Sequence, residues 1–404
     1  MLILKVSELK ALLNPEKMAH WNCAVGKQSL APVFRPGLKE YARFVYADKG
    51  VSLNFATMVM SKRILLSSLL LLQLSTAVAQ HTWATPELSQ MYFHAGEYMV
   101  LGNYKEAITI YKQALLIDPD KFILCKDLGN AQFLSGNYSE AVYTLQPLID
   151  RVEADEQCYY LLAESYAMLR NTKEARNVLN KGVDHFPASG MLYYETGKMH
   201  ALERKQDAAL DAWLKGIEKA PAYAPNYYEA ALVYQRTGNT IWSLLYGEIY
   251  LNLAKDTTGI AETKQMLVIG YKAMFDKIAE TRQTKQQPVT SFTDAVQDVY
   301  SRLTPVVSDG INTENLTMVR TRFVMDWRSK YGSKYPFSLF SYHDYLLRNG
   351  LFDIYNEWLF GNAINAAEYN AWNQFHPGEL DIWFQRKREH PLMPATTDFY
   401  NIRN

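Results

Sequence analysis

Along residues 88–257, small, large apolar and polar side chains recur in the same order every 34 residues, five times, with no insertion or deletion. One small position falls at Ala95, Gly129, Ala163, Gly197 and Ala231, and a second, twelve residues later, at Ala107, Ala141, Ala175, Ala209 and Ser243. Small side chains at fixed intervals are what two helices need where they pack most closely, because a filled interior has no spare volume there. The stretch between them holds turn residues, as in Leu101-Gly102-Asn103-Tyr104 and Ser135-Gly136-Asn137-Tyr138. Each block is therefore predicted to be two helices joined by a short turn, the second packing back on the first.

Larger residues occupy the slot three after the first small one, at Tyr98, Gln132, Tyr166, His200 and Tyr234. They also occupy the slot four after the second, at Tyr111, Leu145, Leu179 and Trp213, with Gly247 the exception. Pro119, Pro187 and Pro221 close three of the blocks, where a ring without an amide hydrogen cannot continue a helix. This order resembles the tetratricopeptide repeat (TPR), a helix-turn-helix unit. The resemblance implies an all-α fold, a right-handed TPR α-solenoid in which each repeat contacts its neighbours. It covers residues 88–257, or 170 of 404. Glu153 and Lys255 stand in two proline slots, and Gly247 and Tyr250 make the fifth repeat the least regular.

In that family the first helix of each repeat lines a concave face. Its groove-facing positions fall here on a column of Tyr92, Lys126, Tyr160, Tyr194 and Tyr228, beside a second column of Gly96, Asn130, Glu164, Lys198 and Leu232. The resemblance thus marks Tyr92, Lys126, Asn130, Tyr160, Glu164, Tyr194, Lys198 and Tyr228 as the partner-binding residues. Tyrosine offers a rigid apolar face and a hydroxyl with few torsions to freeze, which suits a binding surface. The other reading is that these rings pack on neighbouring helices and only edge the groove. Some family members grip a terminal carboxylate with Lys and Asn, then Asn, then Lys and Arg. Lys126 and Asn130 match the first pair, but Leu161, Met191 and Glu195 stand where the other contacts belong. An extended peptide or a partner helix laid along an aromatic groove is the expected ligand.

Upstream, Lys62-Arg63 precede an apolar run from Ile64 to Leu74 and then Ser75-Thr76-Ala77-Val78-Ala79-Gln80. A basic start, an apolar centre and a small-residue end read as a secretory signal peptide over 58–79. The apolar stretch of 16 residues from Ile64 to Ala79 is shorter than the roughly 20 that span a bilayer. Only an uncleaved signal would tie the product to a membrane. The signal lies far from residue 1, so translation is expected to begin at Met58 or Met60, with 1–57 a non-native or disordered leader.

The formal charge is zero over the whole chain, but residues 1–79 hold ten Lys and Arg against four Asp and Glu, which leaves 32 against 38 in 80–404. The repeats show no basic stripe of the kind that neutralises phosphates, so no nucleic acid is expected as partner. Cys125 and Cys158 sit on helices expected to stack about 9–10 Å apart. A disulfide needs alpha carbons within about 7 Å, so both thiols are expected to be small core fillers.

After Gly259 the 34-residue phase is lost. Residues 258–285 read as a capping helix, and 286–404 as a small aromatic-rich helical module with helices ending at Lys330, Arg348, Phe360, Phe375 and Arg388. Helical spacing of Tyr342 and Tyr345, or Tyr355 and Trp358, points to core packing. His343, His376 and His390 lie in no metal-ligand spacing, and the chain has no nucleophile elbow, phosphate-binding glycine loop or redox cysteine pair. No cofactor, metal or catalytic residue is expected. The sequence predicts an exported scaffold, periplasmic or cell-envelope associated, that binds a protein or peptide. The alternative is a polysaccharide- or cell-wall-active enzyme whose active site lies in the C-terminal module, with the repeats as a docking arm.

Overall fold

The structure, a computed structural model, describes residues 83–255, 257–281 and 288–400. The expected leader at 1–57 and signal peptide at 58–79 lie outside the described residues. Every regular element among those described is helical.

Five helix pairs come first: α1 Pro86–Val100 with α2 Tyr104–Ile117, α3 Phe122–Leu134 with α4 Tyr138–Leu145, α5 Glu156–Met168 with α6 Thr172–His185, α7 Gly190–Leu202 with α8 Gln206–Lys219, and α9 Ala224–Thr237 with α10 Thr240–Leu253. The first residues of α3, α5, α7 and α9 are spaced by 34, as are those of α2, α4, α6, α8 and α10. The sequence period is therefore the period of the backbone.

Two local devices set these starts. Side chains of Thr85, Asp155 and Ser189 cap α1, α5 and α7 by accepting from the amides of Leu88, Cys158 and Leu192. Inside each repeat the turn requires one residue in the left-handed region, and it recurs at Gly102, Gly136, Arg170, Arg204 and Gly238, with φ of 75°, 82°, 60°, 61° and 76°. Pro119, Pro187 and Pro221 follow the last residues of α2, α6 and α8 by two positions. In the second repeat Pro147 ends α4 earlier, after Leu145, and a 3₁₀ turn over Gln146–Asp150 completes the return.

Packing follows the small positions. Ala95, Ala163 and Ala231 are buried, and Gly129 and Gly197 are so close to Leu145 and Trp213 that an added Cβ would lie well inside 3.0 Å. In both cases the facing residue is 16 positions on, in the slot that also holds Tyr111 and Leu179. In the fifth repeat that slot is Gly247, and the space it leaves is taken by Thr263, Met266 and Leu267 of the next helix. The sequence exception is thus the seat of α11 Ile260–Thr281.

Helix α11 falls within the segment 258–285 read as a cap, and it has a feature that the period had hidden. It stacks as a sixth first helix, with Glu262 placed 34 residues after Tyr228 and bonded to it, the Tyr228 hydroxyl donating to Oε2 at 2.7 Å. It then runs on for 22 residues where a repeat would turn.

The remaining helices are α12 Phe292–Ser301, α13 Thr313–Lys330, α14 Ser338–Arg348, α15 Phe352–Asn356, a π turn over Glu357–Gly361, α16 Asn362–Ile364, α17 Ala366–Phe375 and α18 Glu379–Glu389. The aromatic-rich segment does not close on a core of its own. One continuous apolar core runs from Ala209 and Trp213 through α10 and α11 to Trp358, Trp383 and Leu392. Most of the C-terminal aromatics point into it, while Phe375 and Phe384 are exposed.

A buried polar cluster crosses that core. The Glu248 carboxylate of α10 accepts from Arg320 of α13, from His343 Nε2 of α14 at 2.7 Å and from the Tyr355 hydroxyl of α15 at 2.7 Å. Asn252 donates to the Tyr355 hydroxyl at 2.8 Å, and Arg320 also donates to Asn356. Tyr271, Phe352, Tyr355 and Phe360 surround the guanidinium, the Phe360 ring centroid 4.9 Å away. Burial opposes ionisation of Glu248, but Arg320, His343 and Tyr355 hold its carboxyl down to about 2. Burial keeps His343 below its usual range, so Nε2–H of the neutral ring serves as the donor. The cluster fastens the C-terminal helices to the last repeat.

Candidate functional site: the face of the first helices

All eight residues expected to bind a partner are half-buried: Tyr92, Lys126, Asn130, Tyr160, Glu164, Tyr194, Lys198 and Tyr228. Each belongs to the first helix of its repeat, so the solenoid repeats their placement at one rung per 34 residues. They do not form one uniform strip.

At the N-terminal end, Tyr92 packs against Trp83 with ring centroids 4.7 Å apart, and burial together with the adjacent Asp127 carboxylate pushes its hydroxyl up to about 12. Lys126 is bound by Asp155, the residue that caps α5, at 2.7 Å. That ion pair occupies the ammonium that a carboxylate-gripping groove would offer to a ligand. Leu161, in another of the clamp positions, is buried.

From the third repeat onward the side chains meet. Lys198 Nζ binds Glu195 Oε2 at 2.6 Å and reaches Glu164 Oε1 across the repeat boundary at 3.5 Å. It also lies 5.4 Å from the centre of the Tyr194 ring. Tyr194 stands 6.2 Å from Tyr223, centroid to centroid, and Tyr160 lies in the field of Glu195, Glu164 and Lys198. Tyr194 in turn lies in the field of Glu229 in the next repeat, and Glu229 in that of Glu262. Tyrosines and carboxylates thus recur along this face from α5 to α11.

Burial dominates the electrostatics of this surface. It pushes the Tyr194 and Tyr223 hydroxyls up to about 12, and it raises the Glu195 carboxyl to about 7 even with Lys198 bonded to it. Glu229 is raised as well, again by burial, against the opposing pull of Arg236 and Lys198.

The eight-residue expectation left out Glu195, Tyr223, Glu229 and Glu262. A signal for two of them was present: Asp127, Glu195 and Glu229 recur at 34-residue multiples, one position after the tyrosine column. Tyr223 precedes α9 and lies outside the helical positions that the family geometry points to.

The eight residues lie on the face of the first helices. Cavities of about 600 Å³ are found elsewhere, one beside Trp242, Phe292 and Tyr400 and one between Tyr193, His200 and Lys215, and neither takes in any of the eight residues. Among the described residues no group of three or more His, Cys, Asp or Glu side chains could hold a metal ion. His343 is committed to Glu248, and its sequence neighbour Asp344 to Arg328 and Arg348. Cys158 is buried and Cys125 half-buried, and both are free thiols. No described helix is long and apolar enough to cross a membrane.

Residues 100–163 and 160–225 each match a family described as tetratricopeptide repeat. Comparison with curated proteins gives no match. Similar solved structures include a tetratricopeptide repeat protein from Parabacteroides merdae, 14% identical over 64% of this chain and 97% of that one, with a TM-score of 0.37. A thermophilic TPR protein of Thermus thermophilus is 19% identical over 46% of this chain and 98% of its own, with a TM-score of 0.36. YrrB, a TPR protein with an unusual peptide-binding site, is 19% identical over 45% of this chain and 90% of its own, with a TM-score of 0.33. Residues 100–225 are a tetratricopeptide-repeat segment, and the described chain is an all-α solenoid built around it.

Proposed function

We propose that this protein is an exported, non-catalytic scaffold of the bacterial cell envelope that binds a protein or extended peptide along the face of its first helices. The observation that carries the reading is the contiguous set of half-buried rings and charges from Tyr160 and Glu164 through Tyr194 and Lys198 to Tyr228. A side chain that only filled the core would be sealed, as Tyr159 and Tyr227 beside them are. Half-exposed tyrosines on a rigid stack lose little torsional freedom when a partner covers them. Export rests on the basic pair Lys62-Arg63, the apolar run from Ile64 and the small residues before Gln80.

Affinity capture from a native envelope fraction, with wild type and with Tyr160→Ala plus Tyr194→Ala as baits, tests the binding face. The double variant is expected to lose partners that wild type retains, and identical partner sets would refute the assignment. Sequencing the mature amino terminus tests export, with Gln80 as the expected first residue and an intact segment 58–79 as the contrary result.

A further inference from the structure

We infer that the part of this face running from α5 to α11 takes a basic segment of its partner, with an arginine or lysine side chain set between the tyrosine rings and the carboxylates. The inference rests on the groove reading above and specifies the chemistry of the occupant. Glu164, Glu229 and Glu262 supply three carboxylates to this surface, the buried Glu195 is bonded to Lys198, and Lys198 is the ammonium bonded within it. Lys198 is shared between Glu164 and Glu195. Among the described residues Glu229 and Glu262 form no ion pair; Glu262 accepts only the Tyr228 hydroxyl at 2.7 Å, and Glu229 feels the field of Arg236 without a bond to it.

The surface already shows how it holds a cation. Lys198 makes a charge-assisted bond to Glu195 at 2.6 Å while its ammonium lies 5.4 Å from the Tyr194 ring centre. One rung further on, the same types of group recur without a lysine: Tyr228, packed 4.9 Å from Tyr250, stands beside Glu229 and Glu262. The position that corresponds to Lys198 is Leu232, which brings no charge. A guanidinium or ammonium from a partner would complete this second rung as Lys198 completes the first. An acidic or C-terminal carboxylate ligand meets repulsion here, and at the other end Lys126 is already bound by Asp155.

Selection of random dodecapeptides displayed on phage against the immobilised full chain tests the inference, with counter-selection on Tyr160→Ala plus Tyr194→Ala. Peptides retained only by wild type are expected to be enriched in Arg and Lys over the starting library. A synthetic peptide from that pool should lose about tenfold or more in affinity on Glu229→Gln plus Glu262→Gln, and should bind more weakly as salt rises. Circular dichroism melting checks that both variants fold. Enrichment of acidic or uncharged peptides, or indifference to the paired Gln substitutions, overturns the basic occupant and leaves the groove standing. Retention of the same peptides by wild type and the tyrosine variant overturns the groove itself.

Discussion

Trp213 lies across α7 directly over Gly197, its indole Nε1–H donating to the Tyr194 carbonyl at 3.2 Å, so that a Cβ at position 197 would meet the ring well inside 3.0 Å. The indole is buried and enclosed, and it cannot move aside without opening the core. Gly197→Ala is therefore expected to destabilise the protein by about 1–3 kcal/mol, the range for overpacking a filled site. Gly96, mid-helix in α1, has nothing within 4 Å of an added Cβ. Gly96→Ala should stabilise by about 0.5–1 kcal/mol through helix propensity alone. Urea unfolding of the two variants checks the contrast, and equal effects would show that the small positions do not govern helix approach.

Arg170 and Arg204 hold the turn position that is glycine in the other three repeats, at φ of 60° and 61°. A side chain there costs about 1–2 kcal/mol relative to the right-handed region, and both residues are exposed with no buried role for the side chain. Arg204→Gly is expected to stabilise by about 1 kcal/mol despite the added chain entropy of glycine. A raised unfolding midpoint would support the shared turn geometry, and a lowered one would contradict it.

The Glu248 cluster makes stability depend on acid. Its carboxyl titrates at about 2 in the folded state against 4.5 unfolded, so its contribution is complete above pH 4.5 and is lost as pH falls towards 2. His343 acts in the same direction. Its folded value lies below 6.5, so the unfolded chain binds the proton first as pH drops. Arg320→Met removes the main partner of a buried carboxylate and is expected to cost about 3–5 kcal/mol at neutral pH. Adding Glu248→Gln should recover part of that loss, since the uncompensated charge is gone. Denaturant titrations of the single and double variants measure this, and additive losses would mean that the pair is not coupled.

The repeats were legible because one spacing fixes both helices and their contact: Gly129 to Leu145 and Gly197 to Trp213 are the same step on the chain and the same contact in space. The sixth first helix was not legible, because its rung carries Glu262 instead of a ring and its helix runs past the place where a turn would show the period. Gly247 was the available clue, a small residue in a slot that elsewhere holds Tyr111 or Trp213. The Glu248, Arg320 and His343 cluster joins residues 72 and 95 positions apart, and no local pattern encodes such a pairing. On the face of the first helices, the family geometry pointed to Tyr160, Tyr194 and Lys198, while Tyr223, which packs beside Tyr194, enters from a loop that helical spacing does not reach.

Which face of the solenoid meets its partner can be read directly by site-specific photocrosslinking. A benzophenone amino acid placed at position 160 or 194 in the first helices should yield a partner adduct in native envelope fractions. The same group at Tyr143, 85% exposed on the second helix of the second repeat, should yield none. Adducts from position 143 with none from 160 or 194 would place the partner on the second helices and contradict a binding face built from the first.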